Sequence, residues 1–257
     1  MVIHLNQRGR EVDLEKINQN KKMTVADFAL QLKTETKKSH TAAENTKFVS
    51  SFLRGVVSED SYKQLVANFY FIYRALEEEF DKHSESPILG EVHHKLLSRT
   101  NQLERDLRYY YGPIWRYHIK PTEQCQRYVD RIREVSEDEP ELLIGHHYTR
   151  YMGDLSGGQI LKNIAEKSLN LRKGEGLHFY EFEGIDDKKV FKQGYRSMLN
   201  NLPITQSMAN AIITEANWAF RLNMFMFDEL EGNGFWSFIK LIWGFLKSIT
   251  NNWKREQ

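Results

Sequence analysis

Apolar residues recur along most of this chain at steps of three and four, the period that gathers them on one face of an α-helix. The first run begins at Thr24, where Thr-Val-Ala-Asp sets an acid three residues after a capping hydroxyl, and the spacing predicts one helix to about Phe48. A second starts near Ser58, with Glu59 and Asp60 complementing the positive end of its dipole, and continues past Glu79 towards Ser86-Pro87. Gly112-Pro113 stops a third that covers about Lys95 to Tyr111, and a fourth spans about Thr122 to Val135. A fifth opens at Pro140, whose missing N–H is harmless in a first turn, and keeps its rhythm through Ile160, Leu161, Ile164 and Ala165. After the break at Lys173-Gly174-Glu175-Gly176, residues 178–182 alternate weakly, and one short extended stretch is predicted there. Helices from about Asp186 and from about Thr205 to Glu231 complete the set, the last expected to stop at Gly232. Seven or so helices and almost no sheet make the fold class all-α.

The fifth helix breaks its own rules. Gly153, Gly157 and Gly158 sit inside it, each costing about 1 kcal/mol relative to alanine. Gly153 and Gly157 are four apart and share a face, so the backbone there is bare. Two readings compete: close packing against another helix, or a helix lying across a planar ligand. Asp154 is the one carboxylate inside that surface. In the first helix, Lys33, Lys37 and His40 lie at i, i+4 and i+7, and Glu44 extends the line by a turn. Such a stripe is either a solvated face with an incidental histidine, or a metal-ligating His40 whose ring Glu44 orients while the lysines meet an anionic edge. Lys192 and Arg196 repeat the pattern of two cations on one face. Phe220, Asn223 and Phe227 form an apolar stripe with one amide in it; core packing explains the rings, but a buried amide needs a partner.

Composition narrows the possibilities. The 257 residues, 40% hydrophobic and 28% charged, fit one domain with a sizeable core. A net charge of +1, with basic residues dispersed among acids, argues against a nucleic-acid partner. The single Cys125 excludes an internal disulfide, suits a reducing compartment and reads as packing. Without a Cys-x-x-Cys-His motif there is no covalent haem attachment, and no paired-cysteine zinc site exists. Glu-x-x-His occurs at Glu91–His94 and Glu175–His178, but the second copy lies in a glycine-broken loop, which disfavours a di-iron bundle. The doublets His93-His94 and His146-His147 each point two ways along a helix, so neighbours cannot share a metal.

The ends differ from the middle. Residues 1–22 are polar and lack the apolar core of a secretory signal; they read as an extension to a domain at 23–232. Residues 233–257 read as an amphipathic C-terminal helix, in which Ser237, Lys240, Gly244, Lys247 and Asn251 make a narrow polar stripe. Its lysines and short apolar run argue against a transmembrane span. The expectation is an interfacial helix over 235–253, with Trp236, Trp243 and Trp253 at a membrane surface and Lys254-Arg255 near headgroups. Packing back on the domain or on a second subunit is the alternative.

The run from Tyr148 to Leu161 resembles the signature of haem oxygenases, and the run from Lys37 to Asn45 resembles their proximal-histidine segment. The resemblance extends from about Ala26 to Glu231 and is greatest to the soluble enzymes of cyanobacteria and plastids that feed bilin pigment synthesis. It implies haem held between two helices, with His40 ligating iron, Glu44 orienting the imidazole and the other axial side open for dioxygen. Gly153 and Gly157 would approach the porphyrin, with Thr149 and Ser156 in the same substrate-facing run. Asp154 would hold an ordered water that passes protons to the oxygen at the iron, supported by Tyr73, Tyr128, Arg150 and Asn223. Lys33, Lys37, Lys192, Arg196 and Tyr148 match positions at the haem propionates, and Phe52, Phe220 and Phe227 match the pocket wall. Met152 departs from the leucine more usual there, a volume-conserving change. The implied reaction is opening at the α-meso carbon to biliverdin IXα, carbon monoxide and ferrous iron, with electrons from ferredoxin meeting the basic rim. The implied setting is the plastid stroma or the cyanobacterial cytoplasm. A non-catalytic haem carrier or sensor using His40, and an oxidase with two non-haem irons on a related helical fold, are the alternatives.

Overall fold

The structure is a computed structural model that describes residues 4–5, 11–12, 25–172 and 174–253, the stretches 4–5, 11–12 and 231–253 as backbone only. The rest of the polar extension, Thr24, and the side chains of the C-terminal amphipathic stretch lie outside the described residues. At the N-terminus β1 (His4–Leu5) pairs antiparallel with β2 (Glu11–Val12), a contact the sequence pattern does not announce.

The expected helix over 24–48 is three short ones: α1 (Phe28–Glu35), α2 (Lys37–Glu44) and α3 (Lys47–Leu53). Asp27, with φ +55°, sets the start of α1. The hydroxyl of Thr36 donates to the Leu32 carbonyl at 2.7 Å and interrupts the first junction, while Thr46, with ψ 148°, turns the chain at the second. Lys33 is thereby on a different helix from Lys37, His40 and Glu44.

The long α4 (Glu59–Lys82) is capped as expected, Ser58 accepting from the Ser61 N–H at 3.1 Å. It buries Tyr62, Leu65, Phe69, Tyr73, Leu76 and Phe80, each fully buried large side chain contributing about 1.5–3 kcal/mol. After a 3₁₀ turn at Lys95–Leu97 comes α5 (Thr100–Tyr111), ended by Gly112 at φ +78°. Next, α6 (Glu123–Asp138) carries the buried Cys125, whose thiol burial pushes its pKa up. Both α5 and α6 pack on α4.

From Pro140 the chain passes through a 3₁₀ turn into α7 (Leu143–His147), a π-helical turn at Tyr148–Met152, and α8 (Gly153–Ser168). The extended stretch expected at 178–182 is instead a 3₁₀ turn, His178–Tyr180, because its backbone N–H groups are taken by a buried carboxylate rather than by a neighbouring strand. Then follow α9 (Lys188–Asn201), with Asp187 as its N-cap, and α10 (Gln206–Trp253). The stop expected at Gly232 is absent: α10 runs through it, since a glycine weakens a helix without ending it unless the chain turns left-handed there. Among the described residues, no helix is long and apolar enough to cross a membrane.

Candidate active site

Between the α2–α3 segment and α8 lies a cavity of about 430 Å³, within the range that holds a cofactor-sized ligand. The sequence-predicted His40, Glu44, Phe52, Thr149, Arg150, Gly153, Asp154, Ser156, Gly157, Phe220 and Phe227 all line it. His40 comes from α2 with its side chain half exposed, its Nδ1 3.6 Å from Glu44 Oε2, which leaves Nε2 free. Phe220 of α10 meets the imidazole edge-on at 5.7 Å between centroids, and Phe227 stacks on Phe48 at 5.8 Å.

The glycine segment forms the other side. A Cβ built on Gly153 or Gly157 meets nothing within 4 Å, so neither glycine serves close helix packing; both face open space along the cavity. Gly158 is turned towards Tyr180, whose Cδ1 is 3.4 Å from its virtual Cβ. Close packing is instead the task of Gly145 in α7, where a Cβ would lie 2.7 Å from the Ala216 nitrogen of α10. The π turn just before Gly153 widens the helix by one residue, as such turns often do beside functional sites.

Behind Asp154 the expected polar residues form one network. Tyr73 donates its hydroxyl hydrogen to Asp154 Oδ2. Arg150 donates through Nε to the Tyr73 oxygen at 3.1 Å and through Nη1 to Asn223 Oδ1 at 2.7 Å, and its Nη2 stands 3.7 Å from Asp154 Oδ1. The guanidinium lies over the Phe69 ring, 4.3 Å from its centroid. Asn223 spends its amide hydrogen on the Ala219 carbonyl at 2.8 Å, so the buried amide has its partners. The Tyr128 hydroxyl is buried with no partner, a site suited to water. Burial raises the Asp154 carboxyl above its ordinary pKa, against the opposing pull of Arg150, Tyr73 and Arg99. Burial works against the charge on Arg150 as well, yet Tyr73 and Asp154 keep its pKa raised.

This donor set fits a flat, iron-bearing ligand: one free imidazole nitrogen, two bare glycines, aromatic walls, and a carboxylate that stays clear of full pairing. The family model described as "Heme oxygenase" matches residues 26–229. The chain belongs to the haem oxygenase family. It is 54% identical to haem oxygenase 1 of Nostoc sp. over 81% of this chain and 87% of that one. It is 48% identical to the haem oxygenase of Guillardia theta, over 86% and 93%. The crystal structure of haem oxygenase-1 from the cyanobacterium Synechocystis sp. in complex with heme superposes with a TM-score of 0.81 at 51% identity, covering 86% of this chain and all of that one.

The remaining expected site residues of this haem oxygenase are not on the cavity wall. Tyr73 and Asn223 stand behind it in the network above, and Tyr128 is buried there with its hydroxyl unpartnered. Lys192 reaches the rim, its Nζ 3.3 Å from the Ser156 hydroxyl. Tyr148 is half-buried near Thr36 and Arg196; burial raises its hydroxyl pKa and those two neighbours oppose the shift. Lys33, Lys37 and Arg196 are exposed. Sequence reading missed Leu65 and Phe69 as wall residues, since on α4 they look like ordinary core, and it missed Phe179 and Tyr180 because their segment carries no helical period. It also missed that the two histidine doublets meet: His93 Nδ1 is 3.4 Å from His147 Nε2, and burial depresses the pKa of both, to about 4 for His93. No metal-binding cluster of histidine, cysteine and carboxylates exists among the described residues.

Proposed function

We propose that this haem oxygenase opens its substrate at the α-meso carbon, giving biliverdin IXα, carbon monoxide and ferrous iron for bilin pigment synthesis, with electrons from ferredoxin. What carries the reading is Asp154, a half-buried carboxylate on the same cavity as His40, beside two glycines that leave the space before it open. Haem supplies the iron for oxygen activation and the ring carbon that is oxidised. His40 holds the iron through Nε2, with Glu44 orienting the imidazole through Nδ1. Gly153 and Gly157, with nothing within 4 Å of a Cβ at either, would leave room for the ring. Asp154 holds and orders a water in that space and passes protons from it, while Tyr73 and Arg150 fix the carboxylate and Asn223 fixes Arg150. Lys33, Lys37, Lys192 and Arg196 would pair with the propionates, with Tyr148 in the pocket nearby, and so orient the ring within the cavity. Phe52, Phe220 and Phe227 seat the faces of the ring. An acidic ferredoxin would dock on the same basic rim, so added salt slows its electron delivery.

The test is an absorption time course with equimolar haem, reduced ferredoxin, its reductase and oxygen, catalase being present to remove free peroxide. The Soret band should decay into the broad red absorption of biliverdin, with release of carbon monoxide. A stable Soret band with the iron demonstrably reduced overturns the reading. We place the protein in a plastid stroma or a cyanobacterial cytoplasm, with 235–253 contacting a membrane peripherally. A chain truncated after Gly232 should lose flotation with anionic vesicles; equal flotation of the two forms removes that contact.

A further inference from the structure

Phe179 and Tyr180 belong to the cavity wall, but the turn that carries them has little structure of its own. Two buried ions hold it, Asp106 of α5 and Arg99 at that helix's N-cap. Asp106, fully buried, accepts the His178 N–H and His178 Nδ1–H through Oδ1, both at 2.8 Å, and the Phe179 N–H through Oδ2 at 2.8 Å. Arg99, seven residues earlier at the helix start, donates from Nη1 to the Phe179 carbonyl at 3.2 Å and to the Glu181 carbonyl. Its other N–H groups go to the Leu96 and Leu97 carbonyls, and its guanidinium lies 3.8 Å from the Phe182 centroid. An anion thus grips the N–H groups of the segment and a cation grips its carbonyls. Stability alone does not call for this, because apolar residues of equal volume often hold a fold as well as buried charges do. The held residue matters more: the Phe179 ring packs 5.4 Å from Tyr73, which bonds Asp154, and 5.2 Å from Phe69, on which Arg150 lies.

We propose that Asp106 is a positioning residue for haem oxygenation, which together with Arg99 clamps the 178–181 backbone so that Phe179 and Tyr180 fix the in-plane seat of the haem and hence the edge that is opened. This rests on the ring-opening function proposed above. Asparagine at position 106 offers one acceptor where the segment presents donors to two oxygens, so Asp106→Asn releases one jaw with little change of volume.

The experiment uses the full chain as wild type, Asp106→Asn and Phe179→Leu, with three readouts. Amide exchange without haem reports the clamp, haem methyl proton resonances report in-plane seating with or without turnover, and chromatography reports the bilin isomers. In Asp106→Asn the Phe179 amide should exchange about 10- to 100-fold faster, as expected for losing a hydrogen bond to a charged group. Its haem methyl pattern should split into two seatings, and a second bilin isomer should reach about a tenth of the product, the ratio that a 1.4 kcal/mol difference leaves. Phe179→Leu should give the same two-seating pattern with the clamp intact, and it decides the matter if Asp106→Asn does not fold. A single wild-type seating in the folded variants overturns the proposal. If the wild type binds haem without opening it, the ring-opening function fails and the methyl pattern still decides the clamp; a wild type that binds no haem overturns both.

Discussion

Two carboxylates, the buried Glu215 and the half-buried Asp154, each beside an arginine, are treated in opposite ways. Glu215 of α10 receives two N–H groups of Arg131, at 2.9 and 2.7 Å, and the Nε2–H of the buried His146 at 2.9 Å. Burial alone would raise its pKa, but His146 and Arg131 overcome that and hold it down at about 2. Asp154 has an arginine four residues away whose best hydrogen bonds go elsewhere, to Tyr73 and Asn223, and burial prevails in raising its pKa. The first carboxylate is locked as an anion and ties α6 to α10. The second has its pKa raised by burial and is open to the cavity, which suits the proton-passing role proposed for it.

Replacing each by its amide should separate the two roles. Asp154→Asn should lower ring opening by about 10²- to 10⁴-fold, the usual share of a positioned proton donor, while haem titration shows binding nearly unchanged. Its stability should move the other way. A folded pKa above the unfolded one means that the folded state binds more protons between the two values, so wild-type stability falls as pH rises through the folded value. Asp154→Asn should therefore melt higher than wild type at neutral pH, the gap closing as pH falls from the raised folded value to the ordinary aspartate value. A variant melting lower at neutral pH would contradict the raised pKa.

Glu215→Gln should do the converse. Breaking a largely buried, charge-assisted pair costs about 2 to 3 kcal/mol, readable in urea midpoints, with ring opening changed little. Because the folded pKa lies below the unfolded one, Glu215 stabilises above the ordinary value of 4.5, and that contribution fades as pH falls towards about 2. The wild-type advantage over Glu215→Gln should shrink over that interval and no other.

Much of this was legible in the sequence because long amphipathic helices and their caps are local: Ser58, Thr122 and Gly112 act where the pattern places them. The cavity position of Asp154 was legible through glycines whose cost had no local return, whereas His40 was only one of two readings of its charged stripe. The joints at Thr36 and Thr46 were not legible, since the apolar period continues across them and a hydroxyl bonded to a carbonyl one turn back leaves no periodic trace. The π turn escaped for a similar reason, one added residue being absorbed in a 3.6-residue rhythm. The seat of Phe179 depends on Asp106, more than seventy residues earlier, and no local pattern carries so distant a contact. Glycine spacing was ambiguous between ligand and packing; the structure leaves Gly153 and Gly157 bare along the cavity, while close packing falls to Gly145 earlier in the same segment.

That division yields the smallest predicted effect and the sharpest in sign. Gly145→Ala must push its Cβ to within 2.7 Å of the Ala216 nitrogen and 2.9 Å of the Ile212 carbonyl oxygen, both backbone atoms of α10. Overpacking of that kind costs about 1 to 3 kcal/mol, and the melting temperature should fall. Gly157→Ala meets no atom within 4 Å, so the helix gains the entropic preference for alanine, about 0.5 to 1 kcal/mol, and the melting temperature without haem should rise. The same methyl projects where a flat ligand must lie, so haem affinity should fall in Gly157→Ala and stay unchanged in Gly145→Ala whenever the latter is folded. If both alanines destabilise the haem-free protein, the bare face at Gly157 is packing after all, and the contrast between the two ends of the segment disappears.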